Sequence, residues 1–271
     1  MPAFAQVPAV MPESKKIQVV LYRLDPWLNT IGSDSPVFAL YSDGTVIYCK
    51  TDSTTYEPSC FSATLTAEQA MRMYSDLGAL SNDSGYSLND ASDQPRNLLI
   101  WLQPDGSNKS VLVEGDLVRD TTANTTAKTL VGNFYISNPA LEQNTSSKSE
   151  LLRIPGHVLK IFRELLSFEA KDAKPWLPIY IELLLKPGGA PGGFEWPHDW
   201  PDLQDKFTKQ RKADNYSVFL KSEHFAELKV LMTKTPFARI NGRSWSVDCR
   251  FPFPQEYVLY PRGPANFQPI P

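Results

Sequence analysis

Apolar and polar positions alternate over residues 16–24, a period of two that predicts a strand closed by Pro26-Trp27. Runs of β-branched and aromatic residues at 37–41 and 45–48 flank Asp43-Gly44. That dipeptide supplies the positive φ angles of a two-residue turn, so the pair predicts a hairpin. Residues 61–65 predict another strand. Thr66-Ala67-Glu68-Gln69 then reads as a capping box, opening a helix with Ala70, Met73, Tyr74 and Leu77 on one face and Gly78 at its end. Residues 97–103 and 110–114 predict a second hairpin around Pro104-Asp105-Gly106.

From 119 to 149 the pattern dissolves into Thr, Asn and Ser, broken only by Leu130-Val131 and Phe134-Tyr135-Ile136. This predicts a long polar connection with a short strand inside it. Pro155 suits a first helical turn, and Val158, Phe162, Leu165 and Leu166 form the stripe of a helix of about four turns. Residues 179–185 read as one apolar run, short enough for a strand covered on both faces. A loop of nearly thirty residues follows, beginning at Pro187 and running through two Trp-Pro pairs. Residues 216–220 are again a strand, and Ser222 is placed to cap a helix carrying Phe225, Leu228 and Met232. Residues 237–240 and 244–251 pair through Asn241-Gly242, and the proline-bearing tail after Phe251 should be extended.

Strands that come in hairpins predict an α+β fold, with mainly antiparallel sheets and about three helices packed on one face. An offset of 155 aligns Leu65 with Leu220, Glu68 with Glu223, Met73 with Leu228 and Leu77 with Met232, which suggests two similar halves. The expected organisation is a hairpin-strand-helix-hairpin module at 1–118, a polar linker at 119–149 and a second module at 150–271 with a proline-rich tail. The two modules are also able to merge into one domain.

Composition changes the picture mostly by exclusion. Charged residues are 21% of the chain and the formal charge is -3, so the basic excess of a dedicated nucleic-acid binder is missing. No apolar stretch approaches the roughly 20 residues of a membrane span. The 23 prolines of 271 residues, about 8% against a usual ~5%, argue for fixed extended loops. Ala3-Phe4-Ala5 has the small-x-small form that ends a secretory signal peptide, without its charged and apolar parts. Cys49 and Cys60 flank ten residues; a hairpin centred on Thr54 and Thr55 makes them opposite neighbours within disulfide reach and leaves Cys249 over. Together these predict export to the periplasm or beyond.

Nucleotide-loop, nucleophile-elbow and zincin motifs are not found, and His157, His198 and His224 are scattered, so neither a cofactor nor a metal is expected. Cys249 has a basic neighbour in Arg250, yet it alternates with Trp245 and Val247 as a core residue would. The richest constellation is Glu195-Trp196-Pro197-His198-Asp199-Trp200-Pro201. Two indoles suit a stacking floor for a sugar, with Glu195, Asp199 and His198 as polar partners. Trp-Pro pairs serve equally as rigid loop anchors packed onto a core. Glu195, Trp196, His198, Asp199 and Trp200 are therefore the candidate ligand or partner residues. Lys206, Lys209, Arg211 and Lys212 form a small basic run that reads as a solvated face.

The stretch from Phe38 to Tyr48, the Trp196-Pro197-x-x-Trp200-Pro201-Asp202-Leu203 segment and Ile240-Asn241-Gly242-x-x-Trp245-x-Val247-x-x-Arg250-x-Pro252-x-Pro254-x-Glu256 resemble patterns in uncharacterised exported bacterial proteins. The resemblance implies a bacterial exported protein and brings no activity or catalytic residue with it. The expected function is a binding module without catalysis, its partner another protein, as for an inhibitor or immunity-type protein. The alternative is a carbohydrate binder or carbohydrate-active protein using the Glu195 to Trp200 loop. Within the terminal motif, Arg250 and Glu256 are expected to meet in a structural salt bridge.

Overall fold

The computed structural model describes residues 15–24, 36–51, 58–83, 85–87, 95–115, 117, 126–129, 151–188, 192–212 and 214–259. The Ala3-Phe4-Ala5 stretch, Pro26-Trp27, the turn at Thr54 and Thr55, the apolar islands at 130–136 and the prolines beyond 259 lie outside them.

In chain order the elements are β1 (Ile17–Leu24), β2 (Pro36–Tyr41), β3 (Thr45–Thr51), β4 (Pro58–Thr64), α1 (Ala67–Gly78), β5 (Gly85–Ser87), β6 (Arg96–Leu102), β7 (Asn108–Glu114), β8 (Thr126–Thr129) and β9 (Leu151–Arg153). They continue as α2 (Gly156–Leu166), β10 (Lys174–Pro175), β11 (Tyr180–Pro187), β12 (Phe194–Glu195), β13 (Thr208–Lys212), β14 (Asn215–Lys221), α3 (Phe225–Lys234), β15 (Phe237–Ile240), β16 (Arg243–Arg250) and α4 (Glu256–Leu259). The fold is α+β. A larger sheet runs β10-β4-β3-β2-β1-β6-β7-β5-β8-β9, and a smaller one runs β12-β15-β16-β11-β14-β13. Pairing is antiparallel throughout except for β5 with β7 and β12 with β15.

The larger sheet is covered on both faces, which explains why β1 buries four residues in succession, Val19 to Tyr22. Val19 and Leu21 face a core shared with α1 and α2. Val20 and Tyr22 face a second core, built with the smaller sheet from Ile181, Leu183, Leu185, Val218 and Trp245. A register shift between Ile17 and Val19 puts Ile17 on this second side as well. The third helix contributes Leu228 to the same sheet-to-sheet core. The layers are thus two helices, the larger sheet, then the smaller sheet with α3 at their junction.

Local chemistry sets the element ends. At α1, Gln69 N–H donates to Thr66 Oγ1 at 3.2 Å and Thr66 N–H donates to Gln69 Oε1 at 2.8 Å, the expected capping box. The β2–β3 hairpin departs from its expected two-residue turn. Its loop is Ser42, Asp43 and Gly44, with only Gly44 at positive φ (81°), because Asp43 is held by the Thr45 N–H at 3.0 Å. A Cβ at Gly44 would lie 2.8 Å from the Leu65 carbonyl oxygen. The β15–β16 turn keeps the two-residue form, with Asn241 at 51° and Gly242 at 76°.

Four other expectations change. Ser222 does not cap α3: its hydroxyl donates to the Pro178 carbonyl, and a short 3-10 turn at Ser222–His224 precedes the helix. The α2 helix has eleven residues, about three turns. The long loop after β11 contains two short strands, β12 and β13, at opposite edges of the smaller sheet. The tail is extended only as far as Phe253, turns at Pro254-Gln255 with Gln255 at a φ of 56°, and then forms the single turn α4.

The polar segment at 119–149 connects strands of one sheet, since β7, β8 and β9 all belong to the larger sheet. The chain passes to the smaller sheet between β10 and β11. The halves also differ in how their late hairpins join: β6, the first strand of its pair, bonds to β1, whereas β16, the second of its pair, bonds to β11.

Candidate functional site

Three places in the fold concentrate chemistry: a buried ion cluster, the tryptophan loop, and a groove where the two sheets meet.

The ion cluster starts from a glutamate inside an apolar strand. Ile181 to Leu185 are all buried, and Glu182 among them is fully so. A buried carboxylate needs partners, and neighbouring strands supply them. Arg250 on β16 donates from Nε to Glu182 Oε2 at 2.6 Å, while Arg211 on β13 donates from Nη2 to Oε1 at 3.1 Å. Ser217 on β14 adds its hydroxyl at 2.6 Å and in turn accepts from Arg211 Nε at 2.7 Å. Burial alone would raise the Glu182 pKa, but Arg250, Arg211 and Ser217 outweigh it and the carboxyl is held below its ordinary value.

Arg250 also donates to Glu256, the salt bridge expected from the terminal motif. Glu256 takes the Phe253 N–H at 2.8 Å on its other oxygen. Burial dominates here and lifts the Glu256 pKa to about 7 despite the Arg250 charge. The same stretch is fastened to the larger sheet. Tyr22 donates to the Glu256 carbonyl at 2.7 Å, Tyr41 to the Pro254 carbonyl at 2.9 Å, and the Ile17 N–H to Gln255 Oε1 at 3.3 Å. The cluster therefore clasps the two sheets together. Its buried arginines and glutamates pair with one another across three elements, which makes it a structural feature.

In the tryptophan loop the two indoles are turned inward. Trp196 is 8% exposed and Trp200 4%. They meet edge to face at 5.2 Å, Trp196 stacks on Phe194 at 6.3 Å, and Trp200 lies 5.9 Å from the His224 ring. Trp196 Nε1 closes the loop by donating to the Pro201 carbonyl at 3.0 Å. Packed this way they anchor the loop and offer no open face for stacking. Glu195, His198 and Asp199 remain exposed, with Glu195 paired to Arg239 Nη1 at 3.1 Å.

The groove has a volume of about 490 Å³ and lies between β4 and β10 of the larger sheet and α3 and β16 of the smaller. Cys60 and Trp176 form one wall and Phe225 and Met232 the other, Cys249 on β16 and Phe251 just after that strand complete the lining, and the Phe61 ring turns to the opposite core, where it stacks on Tyr48. Cys60 is disulfide-bonded to Cys49 directly opposite it on β3. The expected disulfide is thus present and braces the groove wall. Lys229 stands at the rim, its ammonium 5.8 Å from the Phe225 ring centre. Burial, with Asp248 and Glu182 nearby, pushes the Cys249 thiol up to about 12, so at neutral pH it is a protonated, unreactive wall group. Two other hollows are of different character. One of about 260 Å³ is the seam between α1 and α2, and one of about 710 Å³ lies over Lys160, Arg163 and Glu164 on the outer side of α2.

Sequence reasoning did not find the groove, whose walls are far apart in the chain. It also passed over Glu182, reading 179–185 as continuously apolar, and took Arg211 for part of a solvated face when it is 7% exposed. A lone glutamate within a strand otherwise buried on both sides was the available signal.

Among the described residues no helix is long and apolar enough to cross a membrane. Comparison with known protein families, with curated proteins and with solved structures found no match to this chain.

Proposed function

We propose that this chain is an exported protein-binding module without catalysis, of the inhibitor or immunity kind. The observation that supports it is the groove at the sheet junction. Its size falls in the range of about 300–1,000 Å³ typical of binding pockets, and its lining is dominated by aromatic, methionine and cysteine side chains. Such recesses receive the buried anchor residues that dominate protein interfaces. The Cys49–Cys60 disulfide is consistent with an oxidising compartment, where a small number of bonds of this kind persist.

The test is capture of partners by the purified, disulfide-intact chain from the envelope and secreted fractions of its source organism, read by mass spectrometry. One protein retained at near-stoichiometric amount supports the reading. Retention of nothing above background by the wild-type chain overturns it.

A further inference from the structure

We draw no further inference here: the strongest candidate, the apolar groove at the junction of the two sheets between Trp176 and α3, belongs to the site already described, and nothing in the structure shows what covers it.

Discussion

Arg250 and Glu182 face each other across β16 and β11, joined Nε to Oε2 at 2.6 Å, and the far side of the same guanidinium holds Glu256. One guanidinium thus bridges two buried carboxylates on different parts of the chain, and Arg211 brings a second positive charge to Glu182. Replacing Arg250 with Ala leaves both carboxylates without the bridge. The expected loss is about 3–5 kcal/mol of unfolding free energy, the range for breaking a buried ion pair. Arg239→Ala, which removes only the surface partner of Glu195, should cost no more than about 1 kcal/mol. Urea unfolding of the two variants side by side checks both.

The two carboxylates titrate in opposite senses. Glu256, with a pKa of about 7 against an ordinary 4.5, binds its proton more readily in the folded chain. Its contribution is fully present below pH 4.5 and is lost as pH rises through about 7. Glu182 is held below its ordinary value, so its contribution is present above that value and fades as pH falls through the folded one. Between pH 5 and 8 the Glu256 effect should therefore lower stability with rising pH. Glu256→Gln is expected to flatten that slope in urea midpoints measured across this window; an unchanged slope would place the titration elsewhere.

The Cys49–Cys60 bond spans a sequence separation of 11. Closing so short a loop should stabilise the fold by about 3 kcal/mol through restriction of the unfolded chain. Melting with and without reductant, and of a Cys49→Ser, Cys60→Ser pair, reads this directly. Non-reducing peptide maps of protein from its source should show the same bond and a free Cys249.

Trp196 and Trp200 are packed as anchors, so truncating either to Ala should cost about 3–5 kcal/mol. The matching expectation for the sugar-directed alternative is loss of glycan retention at unchanged melting temperature. Calorimetry together with a glycan array separates the two outcomes.

Gly44 and Gly242 both have positive φ but differ in their surroundings. Alanine at Gly242 meets nothing within 4 Å and should cost about 1–2 kcal/mol from backbone strain alone. Alanine at Gly44 adds a 2.8 Å approach to the Leu65 carbonyl and should cost clearly more. Denaturant midpoints of the two single variants give the comparison.

What the sequence disclosed follows from range. The capping box at Thr66 and Gln69, the Asn241-Gly242 turn and the stripe on α2 are decided by residues a few positions apart, and the chain spells them out. The Cys49–Cys60 pairing was reachable because one hairpin determines it. The Arg250–Glu256 bridge was legible because two prolines hold six residues in a fixed path. The groove was not, since Trp176, Phe225 and Cys249 meet only after two sheets have stacked, and no local period records that meeting. Arg211 shows the same limit: its basic neighbours Lys206 and Lys209 resemble it in sequence, and only the Glu182 carboxylate two strands away distinguishes it. Composition and loop chemistry lead only to the expectation of protein binding, whereas the recess that supports it arises from tertiary structure.

The contacts of Tyr22, Tyr41 and Ile17 with residues 254–256 join positions more than two hundred residues apart, 238 in the case of Ile17 and Gln255. During synthesis, β1 emerges from the ribosome long before its α4 neighbour exists. The junction between the sheets therefore stays open until almost the whole chain is out, and such distant closures slow folding. Nascent chains halted short of Glu256 should remain protease-sensitive and be bound by chaperones, with the compact form arriving only at the end of translation.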